Sequence, residues 1–440
     1  MPDNGQVRMN RNLGRVKTPE HSAASAPVSR RLVDEPQRVD AGIVIVLVLM
    51  LCFGLVMLFS ASMSASISQD GGGTSYLVRQ LSANILGVIA IFFLTKFNIK
   101  AFDRPQIAAF FYFLSILLLF LTYFSEPINN AQRWLKIPLF GNFQPSELTK
   151  IVVVYTVACY HSHLNKLRAV GRFPRGKGFK GAMKDAWLDL ILPMLILLLP
   201  MLIVLFQPHF SGFGILLMIA VVSLIAAGVP LRSWLISIAL ALIISAAGLG
   251  IFAASEPLIP EEYKEQYTNL FAHVKTRINI FQDSEDVSEA AVYQSRQSRI
   301  AIGSGGLTGV GLGQGKQKNN YLPEGHNDYI FSNIVEEIGL IGGIAVMALF
   351  LIFFILGLRI TFRASSVYGQ IVAGGITTLI TVQALLNLAV NVGVIPPTGI
   401  SLPFFSYGGT SNLFFLIGIG LLLNVSKYGM RKREDRTGGQ

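Results

Sequence analysis

Residues 41–61 read AGIVIVLVLMLCFGLVMLFSA, a stretch that contains no charged side chain. A helix needs about 20 mostly apolar residues to cross the hydrocarbon core of a bilayer. The rest of the chain follows the same trend, because 52% of its 440 residues are hydrophobic and only 14% are charged. Soluble globular domains carry about 25% charged residues. The composition therefore predicts a protein embedded in a membrane.

Further stretches of this kind predict an all-α polytopic membrane protein with about ten transmembrane helices. The eighth stretch is long enough to tilt or to begin outside the bilayer, and a large extracytoplasmic loop, 255–328, separates the seventh helix from the eighth. The predicted spans are about 41–61, 79–97, 106–124, 146–163, 188–206, 212–229, 233–254, 329–358, 368–392 and 411–427.

Basic residues between the spans predict the orientation, because cytoplasmic loops carry an excess of Lys and Arg. The segment between spans four and five holds one acid, Asp185, among many cations, and further cations follow spans eight and ten. With an even number of spans, both termini are predicted to be cytoplasmic and loop 255–328 to lie outside. The cations of the segment between spans four and five are Lys166, Arg168, Arg172, Arg175, Lys177, Lys180 and Lys184.

These predictions divide the chain into three regions. Residues 1–40 are polar and rich in Arg, Ser and Pro, which predicts a disordered cytoplasmic tail, as a solvated extension rather than the alternative, a docking arm. Residues 41–428 form the transmembrane domain, and residues 429–440 form a basic cytoplasmic tail. The net charge of +11 is explained by membrane topology, so no nucleic-acid partner is expected. The two cysteines lie in apolar stretches, which predicts neither a disulfide nor a cysteine metal site.

One carboxylate stands where the polar loop meets the eighth span, in Tyr321–Phe331, YLPEGHNDYIF. Asp328 has two compatible interpretations, a helix N-cap and a base whose pKa is tuned at the water–lipid boundary. Glu324, His326 and Asp328 alternate along an extended segment, so a weak site for a divalent cation such as Mg²⁺ or Mn²⁺ is conceivable. No metal ligand is assigned.

A second polar group surrounds the start of the fourth span. Glu147 and Lys150 are three residues apart and share a helix face, so they can neutralise each other. Pro145 suits the first turn of a helix. Two interpretations stay open here: a structural ion pair at a helix start, or, together with Arg133, a polar wall of a cavity that opens outward.

The long loop and one short turn contain the remaining candidate binding residues. Glycines between 303 and 315 allow backbone N–H groups to approach an anion, and Arg277, Lys316 and Lys318 provide cations for a diphosphate. The alternative is a flexible loop lying against the membrane. His209, in the turn between spans five and six, is either a turn residue or a pH-sensitive or phosphate-binding group.

Several long motifs, in order along ten spans, together resemble the SEDS family (shape, elongation, division and sporulation), which includes FtsW, RodA and SpoVE. The resemblance covers nearly everything from the first span to the last and leans towards the FtsW and SpoVE branch. The motifs are Arg133–Trp134, Phe143–Lys150 (FQPSELTK), Ala301–Gly306 (AIGSGG), Tyr321–Glu324 (YLPE), Asp328–Phe331 (DYIF), Glu336–Gly339 (EEIG), Pro396–Gly399 (PPTG) and Phe405–Gly409 (FSYGG).

The resemblance implies a peptidoglycan glycosyltransferase that polymerises lipid II on the outer face of the cytoplasmic membrane, in cell division, cell shape or sporulation. It implies a class B penicillin-binding protein and divisome proteins as partners. Asp328 matches the family's proposed catalytic base. The substrate-binding candidates are Arg133, Glu147, Lys150, Arg277, Lys316, Lys318 and Glu324. Many members have an Asp where this chain has His209, so no carboxylate role carries over to that turn.

Two other classes of function share some of these sequence features. A lipid II flippase would also need many spans with charged residues, but transporters place their main polar groups near the bilayer midplane and often show an internal repeat. The predicted polar groups gather at the outer face instead, which favours the enzyme. A non-catalytic division scaffold would leave Asp328 with no role beyond capping.

Overall fold

The computed structural model describes residues 38–70, 72–127, 132–137, 141–207, 209–255, 289–319, 321–322 and 325–429. The predicted tail 1–40, except its last three residues, lies outside the described residues. So do most of loop 255–328 and nearly all of the basic tail 429–440. Two candidate substrate-binding residues, Arg277 and Glu324, also fall outside them.

The described chain is mostly helical. A 3-10 turn, Thr122–Phe124, extends the fourth helix, and a π-helical turn, Trp187–Ile191, joins the sixth to the seventh. The helices are α1 (Ala41–Asp70), α2 (Ser75–Leu94), α3 (Ile99–Phe102), α4 (Pro105–Leu121), α5 (Pro145–Ala169), α6 (Gly178–Ala186), α7 (Leu192–Phe206), α8 (Phe210–Ala226), α9 (Leu231–Ser255), α10 (Glu289–Gly305), α11 (Ile330–Arg363), α12 (Val367–Asn391) and α13 (Gly409–Tyr428).

Each of the ten predicted spans coincides with a helix, and the predicted all-α class is confirmed. Within the described residues, seven helical segments are long and apolar enough to cross a membrane. The other three predicted spans correspond to α5, α8 and α9. The seven are Ala41–Ser68, Ser75–Leu94, Pro105–Phe124, Gly178–Phe206, Ile330–Arg363, Val367–Asn391 and Gly409–Tyr428.

The structure differs from the prediction in three places. Helix α1 continues to Asp70, beyond the predicted end at residue 61. Helix α11 is kinked at Gly339, where φ is 78° and ψ is −171°, so its first turns form a separate piece before the long apolar span. A short antiparallel hairpin pairs β1 (Leu135–Ile137) with β2 (Gly141–Phe143) before α5. Three-residue strands are too short to give a sequence pattern.

Helix α12 lies at the centre of the bundle and packs against α5, α8, α11 and α13. Its apolar residues belong to the main core, and the surrounding helices turn large apolar side chains outward, among them Phe92, Phe113 and Leu242. In a soluble protein such a surface would mark an interaction site. Around a bundle of spanning helices, it is the surface that meets lipid.

Different segments of the chain meet at the two ends of the bundle. At one end, the backbone N–H of Asp40 donates to Ser426 Oγ at 3.3 Å, so the first and last described segments lie together. We name this the terminal end. At the other, the Gly408 N–H donates to Gln80 Oε1 at 3.2 Å. The segments before α11 and between α12 and α13 lie at this second end, which we name the loop end.

Candidate active site at the loop end

A turn of residues 325–329, the Asp328 turn, carries the predicted acid at the loop end. The Asp328 side chain is half-buried. Helix α11 begins at Ile330, and its N-cap position belongs to Tyr329, which makes no side-chain capping bond. Asp328 therefore lies one residue before the N-cap. The N-cap is Tyr329 instead of the predicted Asp328.

Two side-chain amides of α12 hold the backbone of Asp328. Asn387 Nδ2 donates to the Asp328 carbonyl oxygen at 2.7 Å, and Asn391 Nδ2 donates to the same oxygen at 2.9 Å. Both asparagines are almost completely buried. A buried amide that is fully bonded is rigid, because each lost bond would leave an unsatisfied polar group.

The rest of the Asp328 turn is bonded on its other sides. The Tyr407 N–H donates to the His326 carbonyl at 2.9 Å, and Ser406 Oγ donates to the Asn327 carbonyl at 2.7 Å. Asn333 Nδ2 donates to the Gly325 carbonyl at 2.9 Å. The turn is therefore attached to α11, α12 and the segment before α13 at once.

A cavity of about 190 Å³ opens beside Asp328. Its opposite wall is the segment between α12 and α13, and Ser211 Oγ of α8 donates to the Thr398 carbonyl of that wall at 3.0 Å. This volume is below the 300–1,000 Å³ of a site that encloses a whole ligand, so it suits one group of a larger molecule. Its lining residues are Gln294, Asp328, Tyr329, Val390, Pro397, Thr398, Gly399 and Ile400.

The predicted Glu147–Lys150 pair forms, and it is buried. Lys150 Nζ lies 2.7 Å from Glu147 Oε1, with side-chain exposures of 3% and 6%. Lys150 also donates to Gln383 Oε1 of α12 at 2.9 Å. Within the described part of the chain, Glu147 Oε2 has no hydrogen-bond donor. Glu147 Oε2 is also shut off from solvent, so it is an unused acceptor in the interior of the bundle.

Gln383, Asn387 and Asn391 are functional candidates that the sequence prediction missed. They are spaced by four residues and so lie along one face of α12. This polar stripe leads from the Glu147–Lys150 pair at Gln383 to the Asp328 carbonyl at Asn387 and Asn391. The signal was present in the sequence, because amides recurring every four residues in an apolar helix mark a buried polar face.

The glycine-rich loop does bring backbone N–H groups to anions, but the anions are the protein's own. The Gly313 N–H donates to Glu337 Oε2 at 3.1 Å, and the Lys316 N–H donates to Glu336 Oε1 at 2.8 Å. Gly309 lies so close to the kink of α11 that an added β-carbon would stand 2.6 Å from the Gly339 nitrogen. The loop is therefore bonded to α11, rather than lying loosely against the membrane.

Lys316 and Lys318 lie in different environments. Lys318 Nζ pairs with Glu337 Oε1 at 2.7 Å and donates to Ser60 Oγ of α1 at 2.9 Å. The Lys318 side chain is only 8% exposed, so its ammonium holds the loop to α1 and α11. Lys316 is exposed at the same end of the bundle.

Arg133 and His209 meet the turn between α7 and α8. Arg133 Nε donates to the Gln207 carbonyl at 3.0 Å, and Gln207 Nε2 donates in turn to Thr122 Oγ1 at 2.8 Å. His209 is buried, with its ring packed against Gly212. This packing favours the turn-residue interpretation of His209.

Among the described residues, no three His, Cys, Asp or Glu side chains cluster as metal ligands do. His326 packs its ring 4.6 Å from that of Tyr76. Glu126 and Lys136 form an exposed ion pair, and the hydrogen bond from the Lys136 ammonium lowers the pKa of the Glu126 carboxyl.

Comparison with known proteins gives three findings. The family model described as Cell cycle protein, which covers FtsW, RodA and SpoVE, matches residues 40–431. The probable peptidoglycan glycosyltransferase FtsW of Geobacter sulfurreducens is 32% identical over 396 residues, which span 90% of this chain and 96% of that protein. Stage V sporulation protein E of Bacillus subtilis is 31% identical over 390 residues, spanning 88% of this chain and 97% of that protein.

Solved structures share the fold. A chain from a peptidoglycan synthase complex that coordinates polymerization and crosslinking superposes with a TM-score of 0.63, at 24% identity, over 88% of this chain and 97% of that chain. The rod shape determining protein RodA of Thermus thermophilus gives a TM-score of 0.57, also at 24% identity, over 88% of this chain and 96% of that chain.

Proposed function

Because the chain belongs to the cell cycle protein family of FtsW, RodA and SpoVE, a family of bacterial membrane proteins, we propose that it is a peptidoglycan glycosyltransferase. It polymerises lipid II into glycan strands at the outer face of the cytoplasmic membrane, in cell division or sporulation. The observation that carries the proposal is the half-buried Asp328 side chain, which lines a cavity and whose backbone is bonded to two buried amides.

Asp328 is the general base of the proposed reaction. Its carboxylate takes the proton of the acceptor sugar hydroxyl, and the hydroxyl oxygen attacks the anomeric carbon of the donor. The bond from that carbon to the diphosphate oxygen breaks, and undecaprenyl diphosphate leaves with the electron pair. A base needs to be held within hydrogen-bond distance of its proton, and the attachments of the Asp328 turn support that requirement.

The departing diphosphate carries negative charge that cations stabilise. Lys316 is exposed at the loop end and Arg133 is half-buried there, so both remain candidates for this contact. Arg277 and Glu324 stay predictions from the sequence. For Lys318, the buried pair with Glu337 favours a structural role over a diphosphate contact.

The Glu147–Lys150 pair is proposed to orient the substrate. Glu147 Oε1 and Lys150 Nζ neutralise each other, and Glu147 Oε2 keeps acceptor capacity. A neutral pair with one unused acceptor, if substrate binding exposes it, suits a sugar hydroxyl better than a phosphate, because hydroxyls donate and phosphates do not.

The orientation and the partners belong to the same proposal. The loop end faces outward and both termini are cytoplasmic, as the distribution of basic residues predicts. The contact between Asp40 and Ser426 supports the part of this prediction that puts the two termini on one side. A class B penicillin-binding protein cross-links the strands and, with divisome proteins, is the proposed partner.

The test uses the purified full-length chain in liposomes with lipid II, with and without a class B penicillin-binding protein. Wild type is expected to make glycan strands, and Asp328→Asn to make none. The matched control is Glu126→Gln, which neutralises a carboxylate that is 78% exposed near the end of α4, and it is expected to retain activity. Full polymerisation by a folded Asp328→Asn protein would exclude the proposed base.

The same assay distinguishes the flippase alternative. Movement of lipid II across the bilayer by wild type, without polymerisation, would favour a transporter. The gathering of Asp328, its cavity and the amide stripe towards one end of the bundle supports the enzyme, because transporters place such groups at the midplane.

A further inference from the structure

The side-chain amides of Asn387 and Asn391 have four N–H bonds between them, and all four meet backbone carbonyls. Asn387 Nδ2 donates to Asp328 at 2.7 Å and to Ile400 at 2.7 Å. Asn391 Nδ2 donates to Asp328 at 2.9 Å and to the carbonyl of Asn387 at 2.9 Å. Every donor of the two amides is therefore used.

The Asp328 carbonyl oxygen accepts two of these bonds. A carbonyl oxygen has two lone pairs, so both are occupied and the peptide plane after Asp328 is fixed from two directions. The Asp328 side chain branches from the carbon next to that plane. The position of the carboxylate therefore depends on this fixed backbone and on the two side-chain torsions of Asp328.

Asn391 is itself held by two serines. The Ser332 N–H donates to Asn391 Oδ1 at 3.1 Å, and Ser298 Oγ of α10 donates to the Asn391 carbonyl at 2.9 Å. The two serine oxygens lie 2.6 Å apart. Ser298, Ser332 and Asn391 are fully buried, so water does not compete for these bonds.

Asn387 also joins the two walls of the cavity. Asp328 lies on one wall and Ile400 on the other, and both line the cavity. Because one amide nitrogen bonds the backbone of each, the Asn387 side chain helps to set the separation of the walls where Asp328 stands. Ser406 supports the same arrangement from the side, because its hydroxyl donates to the Asn327 carbonyl of the Asp328 turn and accepts from the Leu402 N–H of the opposite segment.

We infer that Asn387 and Asn391 are positioning residues, which set where the Asp328 carboxylate stands in the cavity by fixing its backbone carbonyl. The inference rests on the proposed function, since it concerns how the base of that reaction is held. Neither asparagine needs to touch substrate. A misplacement of about 1 Å at a reacting group costs about 10²-fold in rate.

The first test measures steady-state polymerisation by Asn387→Leu, which keeps a similar side-chain size and removes both donors. We expect kcat to fall about 10- to 100-fold while KM for lipid II stays close to that of wild type. The matched control is Asn424→Leu. Asn424 Nδ2 also bonds two carbonyls, those of Leu94 at 2.7 Å and Phe97 at 2.8 Å, and it is equally buried but lies at the terminal end.

Asn424→Leu is expected to lose a comparable amount of stability and to keep its kcat. Should Asn387→Leu fail to fold, Asn387→Ser replaces it, because the shorter hydroxyl cannot bond both carbonyls. Wild-type kcat in a folded Asn387 variant would overturn the inference. So would an equal loss of kcat in the Asn424 variant, since that would show a general effect of lost packing.

A second measurement does not depend on activity. The chain has two cysteines, Cys52 and Cys159, so a Cys52→Ala, Cys159→Ala, Asp328→Cys protein carries one thiol, in the turn. We expect Asn387→Leu to change the rate of maleimide labelling at position 328 several-fold, and Asn424→Leu to leave it unchanged. Identical labelling rates in all three proteins would overturn the inference.

The two hypotheses fail in different ways. If Asp328→Asn polymerises lipid II normally, the proposed base is wrong, whatever the labelling rates are. If Asp328→Asn is inactive while Asn387→Leu turns over normally, the base stands and only the positioning role is lost.

Discussion

Lys150 Nζ lies 2.7 Å from Glu147 Oε1 inside the bundle, and both side chains are almost completely buried. Removing one partner of a buried ion pair leaves an uncompensated charge, whereas replacing both by apolar residues is often neutral. The Gln383 amide oxygen, 2.9 Å from Lys150, can share the positive charge but does not neutralise it.

We therefore expect Glu147→Leu and Lys150→Met each to destabilise the protein by about 3–5 kcal/mol, and the double variant to recover most of the loss. The measurement is the apparent melting temperature in detergent. Lys136→Met is the control, because its pair with Glu126 is exposed and such pairs contribute about 0–1 kcal/mol. A double variant as unstable as the singles would contradict the assignment of a neutralising pair.

The buried group formed by Ser60, Lys318 and Glu337 gives the second prediction. Glu337→Gln leaves the Lys318 ammonium without its counter-charge, so the loop before it is expected to detach from α11. Faster tryptic cleavage after Lys316 measures this detachment. Ser60→Ala removes a hydroxyl that lies 2.7 Å from Glu337 Oε2. We expect this change to lower the free energy of unfolding by about 1 kcal/mol.

Ser68→Ala is the matched control on the same helix, because Ser68 Oγ donates only to the nearby Ala65 carbonyl at an exposed position. It is expected to leave both stability and cleavage unchanged. A loop equally resistant to trypsin in wild type and Glu337→Gln would show that the carboxylate does not hold it.

The third prediction concerns two glycines with the same backbone angle. Gly309 and Gly313 both have φ of 81°, but a β-carbon would stand 2.2 Å from the Glu337 carbonyl oxygen at Gly309 and would meet nothing within 4 Å at Gly313. Alanine at a left-handed position costs about 1–2 kcal/mol. Gly313→Ala is expected to lose only that amount of stability. Gly309→Ala is expected to lose more stability, and thermal unfolding measures both.

Equal losses of stability at the two glycine positions would mean that the loop can move away from α11 without a cost in free energy. The contacts of the loop with Glu336 and Glu337 argue against such freedom, because buried acceptors would lose their donors.

The fourth prediction tests the cavity beside Asp328. Gly399 has φ of 70°, and a β-carbon on it would lie 3.7 Å from Asp328 Oδ2. Gly399→Ala therefore places a methyl group where the acceptor sugar is proposed to approach, and polymerisation is expected to fall about 10-fold or more.

Gly171→Ala is its control, because Gly171 has φ of 78° with nothing within 4 Å and follows α5 at the terminal end. Both alanines carry similar backbone strain, so only the cavity distinguishes them. Unchanged polymerisation by Gly399→Ala would move the acceptor site away from this cavity.

Much of the fold was predictable because apolar length alone decides a spanning helix. The stretch 41–61 predicts α1, and similar stretches predict the other spans. The Glu147–Lys150 contact was also predictable, since residues three apart on a helix are neighbours. The kink at Gly339 was not, because it depends on the approach of Gly309 from another segment.

For the candidate site, the sequence singled out Asp328 but not what holds it. Asn387 and Asn391 lie about 60 residues further along the chain, and only the packing of α12 against α11 brings them to the Asp328 carbonyl. The role of Lys318 was equally hidden, because its partner Ser60 is 258 residues away.

By itself, the sequence determined that this chain is a helical membrane protein and which acid stands at a loop boundary, because hydropathy and local spacing are properties of neighbouring residues. Only the tertiary structure decided that the acid's backbone is held by buried amides and that the glycine-rich loop bonds the protein's own carboxylates. Those relationships depend on which helix faces pack together, and hydrogen bonds over such short distances form only after that packing is set.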